Sequence, residues 1–284
     1  MMNRSPAETA LSKAMIRWSL SKATLLAETD TSWIYRVDQN GRSPAVLKQL
    51  KPDADESEAR GAGLMAWYGG EGAATVFDAT DGIIFMEWLD GDTLGAPARA
   101  GRDEEATIAL AHVVSELHRP RALPMPEDLL PVRARFEALF GSRPGAWPAM
   151  SKDLLARALG IAHRLFDKPA PQIPLHGDLH HDTILSSPRG WLAIDPIGLV
   201  GDPVYELAPV FLNPAGDTKR VTDPARVNAL ADILSSRLGH SRKRILAFAA
   251  AHTALTACWD VAAGRPITLQ LTMLPNLLAA HDLA

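Results

Sequence analysis

Hydrophobic and polar positions alternate over short stretches in the first third of the chain, and longer periodic runs follow. Residues 23–50 hold two strand-like segments, one with Trp33, Ile34, Tyr35 and Val37, the other Ala45-Val46-Leu47-Lys48-Gln49-Leu50. The polar Asp38-Gln39-Asn40-Gly41 between them predicts a hairpin, because Asn-Gly readily adopts the backbone conformations of a tight turn. Residues 53–67, charged and alanine-rich, predict one helix; after Gly69-Gly70, residues 74–77 and 83–88 predict two more strands. Beyond Gly91 the apolar period lengthens to that of helices, over residues 104–118, 129–140, 152–166, 224–238 and 242–262. A strand-rich island at residues 173–195, dense in His and Asp, interrupts them. The pattern predicts an α+β chain in two lobes. A small lobe at 1–90, five antiparallel strands and one long helix, leads through a connector at about 86–92 into a mostly helical lobe at 91–284. A cleft between two such lobes is a natural ligand site.

Composition changes this picture little. A chain of 284 residues, 47% hydrophobic and 22% charged, is long enough for one large domain or two modest ones. A formal net charge of -4 gives no broad electrostatic case for nucleic acid or an anionic membrane, and it is compatible with a cationic small molecule in an acidic cleft. Cys258 is the only cysteine, so no intrachain disulfide forms and a cytoplasmic location is expected. The first residues lack a secretory apolar run, and apolar stretches such as 245–251 are too short to span a bilayer. The expectation is a soluble intracellular protein that binds neither nucleic acid nor membrane; nothing marks an oligomeric state.

The chemistry is concentrated in Leu175-His176-Gly177-Asp178-Leu179-His180-His181-Asp182-Thr183-Ile184-Leu185 and in Trp191-Leu192-Ala193-Ile194-Asp195-Pro196. Each segment sets an isolated acid after a short apolar run. Phosphoryl transfer asks for a carboxylate that orients and deprotonates the acceptor hydroxyl, a second acid that holds magnesium on the phosphates, and a lysine that fixes the nucleotide. Asp178, Asp195 and Lys48 suit those three roles.

With these motifs the chain resembles the aminoglycoside and hydroxyurea phosphotransferases, streptomycin 6-kinases in particular. The resemblance rests on HGDLHHDTIL at 176–185 and WLAIDPIGLVGDPVYELAPVFLNP at 191–214, and extends to LKQL around Lys48, AWYGGEGAATVFDA around Trp67, Leu117-His118 and ALTACWDVAAG around Trp259. It implies a protein-kinase-like fold and an antibiotic-resistance type of activity, transfer of the γ-phosphate of ATP with Mg2+ to a hydroxyl of a small acceptor such as streptomycin or hydroxyurea. Asp178 would be the catalytic base with His176 holding its loop, Asp195 would bind metal, and Lys48 the α- and β-phosphates. Glu58, rather than Glu56, would pair with Lys48, and the strand end Met86-Glu87-Trp88-Leu89 would present its backbone to adenine. In the polar loop 27–32, backbone amides with Thr29, Thr31 or Ser32 would cover the phosphates. One departure stands out: where the family carries Asn, usually after Gly, as a second metal ligand, this chain has Thr183 after Asp182. Either Asp182 compensates, or the metal site is weakened and the chain is a nucleotide-binding relic.

Other readings compete residue by residue. His176, Asp178, His180, His181 and Asp182 are dense enough in donors for a metallohydrolase, although His240, His252 and His281 lie in helical surroundings without suitable company. Glu206 reads as a helix-start anchor or the partner of a buried arginine, and Asp260 as surface charge or a substrate contact. Gly61-Ala62-Gly63-Leu64-Met65-Ala66 matches a dinucleotide fingerprint formally, but the charged helical segment before it is not the strand that fingerprint requires. No phosphate-binding loop of the G-x-x-x-x-G-K-[ST] type occurs.

Overall fold

The computed structural model describes residues 6–80, 82–143, 147, 151–168 and 170–284; residues 1–5 and Asp81 of the predicted small lobe lie outside them. The chain opens with helix α1 (Pro6–Arg17), strands β1 (Leu20–Glu28), β2 (Ser32–Gln39) and β3 (Ala45–Leu50), helix α2 (Glu56–Tyr68), and strands β4 (Val76–Thr80) and β5 (Ile83–Glu87). Short α3 (Gly95–Arg99), long α4 (Asp103–Leu117), strand β6 (Leu130–Pro131) and the single turns α5 (Val132–Arg135) and α6 (Glu137–Phe140) follow, then α7 (Lys152–Phe166). Strands β7 (Ile173–Leu175), β8 (Ile184–Ser187), β9 (Gly190–Ala193) and β10 (Leu199–Gly201) precede α8 (Thr218–Val221), α9 (Pro224–Leu238), α10 (Arg242–Ala262) and α11 (Thr268–Asp282).

The first five strands form one antiparallel sheet in the order β1-β2-β3-β5-β4. The β2–β3 hairpin is present, with Val37 opposite Ala45 and Gly41 at φ 70° in the connecting loop. Strand β3 is central, and its alternation sets the function of each face. Ala45 and Leu47 pack with Val37, Ile83 and Phe85 beneath α1, whereas Val46 and Leu50 join Ile84, Met86 and Met65 on the side of α2. The sequence pattern anticipated one helix on this sheet; α1 is a second. Ala10, Leu11, Ala14, Met15 and Trp18 share one helical face, and that face covers the sheet's outer side.

The predicted helix at 129–140 is instead a strand and two single turns. Leu130 and Pro131 pair in parallel with Leu199 and Val200, and Pro131 begins the next turn in extended geometry. Proline suits this edge strand because the ladder loses nothing by its missing N–H. In the helical part, α10 packs against α7, α9 and α11. This 21-residue helix, with a mean hydropathy of 1.4 in its most apolar stretch, is, among the described residues, long and apolar enough to cross a membrane, well beyond the 245–251 stretch, yet most of that stretch is buried inside the protein. Around it Phe136, Phe166, Tyr205 and Phe248 stack edge-to-face at centroid distances of 5.0–6.2 Å.

Phe248 is 1% exposed in this cluster. Phe248→Ala is expected to lower unfolding free energy by about 3–5 kcal/mol, read from the midpoint of urea denaturation.

Candidate active site

A cleft of about 260 Å³ lies between the sheet and the helical part. Its walls are apolar, with Ile34, Val46, Ile84 and Met86 from the sheet and Leu185 and Ile194 opposite them; Lys48, Glu58 and Asp195 supply charge. Lys48 lies between Ile34 and Ile84 in the sheet register. Its side chain, 11% exposed, reaches Glu58 Oε2 at 2.6 Å and also contacts Asp195 Oδ1. Burial pulls the Lys48 pKa down, but Asp195 and Glu58 outweigh it and raise it above the usual lysine value, so the ammonium stays charged.

Glu58 lies in the first turn of α2, which Asp55 caps by accepting from the Ser57 amide. Its other oxygen accepts from the Thr31 hydroxyl at 2.5 Å, tying the β1–β2 loop to α2. Glu56 is 94% exposed and pairs with Arg60, so it is Glu58 that meets the lysine. Asp195 follows β9 in the left-handed region at φ 65°, a conformation aspartate tolerates better than most residues.

Asp178 is brought to the same end of the molecule by two ties. The β8–β9 hairpin sets Ile184 opposite Ala193, and the Ile194 amide donates to Thr183 O, so the end of the Asp178 loop abuts the approach to Asp195. His176 is fully buried; its Nδ1 accepts from the Asp178 amide at 3.3 Å, which leaves Nε2 to donate to Ile194 O at 2.8 Å. Asp178 itself is 43% exposed, with His180 Nε2 3.9 Å away. Burial, against the pull of Asp178, brings His180 below the ordinary imidazole value.

A family model for the aminoglycoside/hydroxyurea antibiotic resistance kinases matches residues 17–264. The chain belongs to this family. A streptomycin 3''-kinase of Klebsiella pneumoniae is 38% identical over 255 residues, covering 88% of this chain and 92% of that one. A streptomycin 6-kinase of Streptomyces griseus is 28% identical, covering 89% and 83%. A crystal structure of an aminoglycoside phosphotransferase with ADP and hygromycin B superposes with a TM-score of 0.63 at 16% identity, over 95% of this chain and 97% of that one. The kinase is thus a small-molecule phosphotransferase with an alcohol group as acceptor, on the two-lobed α+β kinase-like fold.

The other anticipated residues fall differently. Glu87 and Leu89 line the cleft, but the Glu87 carboxylate accepts from the Thr75 amide and pairs with Arg189, both through Oε2, and the Glu87 amide donates to Thr75 O. Ser32 is fully buried, its hydroxyl 3.0 Å from that of Thr29, and it is not among the cleft-lining residues. The Thr183 hydroxyl belongs to its own loop, donating to Asp178 O or His180 O and accepting from the His180 amide. Asp182, whose compensation for Thr183 was one of the two alternatives, spends both oxygens on Arg99 at 2.6 Å, Thr93 at 3.1 Å and the Ala215 amide at 3.3 Å. Burial raises the Asp182 pKa and these partners lower it further, to a net value below the usual aspartate range. The dense run 176–182 does not converge on a metal: among the described residues no group of three or more His, Cys, Asp or Glu does. Asp260 is engaged by Arg265 and Gln270.

Sequence reasoning missed the anchor of the loop that carries Asp178. Glu206, 0% exposed, accepts from the backbone amides of His176 at 2.7 Å and Gly177 at 2.9 Å, not from an arginine, and His118 Nε2 lies 3.5 Å away. Burial pushes its pKa up, but His118, His176 and the Gly177 amide bring it below the ordinary glutamate value, so it is ionised. The available signal was an acid inside the apolar run Val204-Tyr205-Glu206-Leu207.

Glu206→Gln offers one acceptor oxygen to two buried amides. It is expected to cost about 1–3 kcal/mol of stability and to lower the phosphate-transfer rate more than it alters nucleotide KM, which steady-state kinetics beside denaturant titration would resolve. Burial, helped by Arg226, holds His181 down at about 4, and burial with Arg135 holds His252 at about 3. Both are neutral when folded, whereas in the unfolded chain they take up a proton near 6.5. Unfolded protein therefore binds more protons between those values, and stability is lost as pH falls below 6.5. Each histidine is expected to remove about 2 kcal/mol between pH 7 and pH 5, and His181→Gln should flatten that slope in urea titrations at the two pH values.

Proposed function

We propose that the kinase transfers the γ-phosphate of ATP to a hydroxyl of streptomycin or a related aminocyclitol, with residues 1–90 holding the nucleotide, a hinge at 86–92, and residues 91–284 carrying the catalytic loop and acceptor site. The observation that carries this is the Lys48 bridge to Glu58 and Asp195 at the charged end of an apolar cleft. Adenine would occupy the apolar walls against the backbone of Glu87 and Leu89, with Lys48 on the phosphates. The acceptor hydroxyl would give its proton to the Asp178 carboxylate as its oxygen bonds to the γ-phosphorus and the β–γ bridging bond breaks, releasing ADP. Asp178 is half-exposed and so accessible to an acceptor, and His176 and Glu206 fix its loop.

Magnesium is the metal this chemistry implies. Asp195, 59% exposed and carrying hard oxygens, fits such an ion together with phosphate oxygens and water; Asp182 does not, because its oxygens are committed to Arg99, Thr93 and Ala215. When bound, the ion neutralises charge on the phosphates. A cytoplasmic location agrees with a cytosolic nucleotide supply and a single buried cysteine. The names of the relatives include both 3'' and 6 positions of streptomycin, and either hydroxyl is a candidate here. One observation favours a second reading, a nucleotide binder of low turnover: the Thr183 hydroxyl is engaged within its loop.

The test is transfer of labelled phosphate from magnesium-ATP to streptomycin. Wild type is expected to label the antibiotic and Asp178→Asn to lose at least about 100-fold in rate. Nucleotide binding without labelling of streptomycin would count for another acceptor or the low-turnover reading.

A further inference from the structure

Resting on the nucleotide site proposed above, we infer that Gly61 is a positioning residue that sets the distance across which Lys48 joins Glu58 to Asp195. Gly61 opens the run Gly61-Ala62-Gly63 whose formal match to a dinucleotide fingerprint has no structural basis, since it lies inside α2. Its contacts supply a different reason for the glycine. A Cβ at Gly61 would lie 1.9 Å from Pro196 O and 3.1 Å from Pro196 C. Both are backbone atoms, which cannot rotate aside. From the opposite side Gly198, at φ 80°, leaves room for α2: a Cβ there would lie 3.0 Å from Arg60 Cβ and 3.1 Å from Arg60 C and O. Two glycines, one from each segment, thus let the helix backbone touch the chain immediately after Asp195. Gly63, two residues along the same helix, would meet nothing within 4 Å.

Glu58 lies three residues before Gly61, on the same side of α2, and Asp195 immediately precedes Pro196. The contact therefore fixes the separation of the two carboxylates that Lys48 touches. A methyl group at position 61 needs an ordinary contact of 3.4–4 Å with Pro196 O, so α2 must retreat by roughly 1.5 Å. One ammonium group then cannot reach both carboxylates. Glycine is a poor helix former beside alanine, so at an unconstrained position alanine is the better residue, and Gly63 provides the built-in control.

Binding of ADP and of magnesium-ATP to the purified full chain by calorimetry, alone and in a Lys48→Met background, tests this. Gly61→Ala is expected to weaken nucleotide binding about tenfold and the transfer rate about 100-fold, with acceptor KM within about twofold of wild type. Gly63→Ala should bind as wild type does and melt about 2 °C higher. In the Lys48→Met background the Gly61→Ala loss should vanish, because both act on one network. Wild-type affinity in Gly61→Ala, or the same loss with and without Lys48, would sink the inference and spare the nucleotide site. No nucleotide binding by wild type would remove the site itself and the inference with it. If Gly61→Ala is insoluble, Gly198→Ala approaches the same contact from the other side; tight nucleotide binding by it would equally overturn the proposal.

Discussion

An ammonium group withdrawn from water must find its compensation in the fold, and Lys48 finds it in two carboxylates that arrive from different directions. The lysine projects from the central strand β3, Glu58 comes down from the first turn of α2, and Asp195 comes from the chain leaving β9. Removing both acids would leave a cation in a mostly apolar cleft, where an unpaired charge is costly. The sheet, α2 and the helical part therefore have to be in register before the bridge can form. Leu64 and Tyr68, later on α2, are buried in the main helical core, so the helix that presents Glu58 is fixed at its far end by the other lobe.

A second buried charge plays the corresponding part for the loop that carries Asp178. Glu206 turns its ionised oxygens on two consecutive backbone amides, and hydrogen bonds to a charged acceptor are shorter and stronger than neutral ones. The two networks meet at His176. Its amide donates to Glu206, and its ring joins the Asp178 amide to the carbonyl of Ile194, one residue before Asp195. If Asp178 and Lys48 act as proposed, the acceptor and the phosphates would be positioned by one connected network running through His176 and the Ile194–Asp195 segment. In phosphoryl transfer, where positioning and electrostatics supply most of the catalysis, such preorganisation is the protein's main contribution.

Legibility differed residue by residue. Lys48, Asp178 and Asp195 stood out because each is a lone ionisable group beside a short apolar run, whereas Glu58, preferred to Glu56, was named only on the family resemblance. The β2–β3 hairpin and α2, α4, α7, α9 and α10 were legible from periodicity. Helix α1 was passed over, although its apolar face repeats at helical spacing. The interval 129–140 read as a helix, but pairing of Leu130 with Leu199 overrode local preference. Ser32 and Asp182 carried suitable side chains but face other partners, Thr29 in one case and Arg99, Thr93 and Ala215 in the other.

By itself the sequence determined the family, the alternation that makes the sheet and the residue types that chemistry requires, since these are properties of neighbours along the chain. Only the tertiary structure decided which acid meets Lys48, what Glu206 holds, where Asp182 turns and why Gly61 is glycine. Those outcomes depend on partners far apart in sequence, 147 residues in the case of Lys48 and Asp195. A buried polar or charged group takes whatever partner the folded chain brings within hydrogen-bonding reach, and no local pattern records that choice.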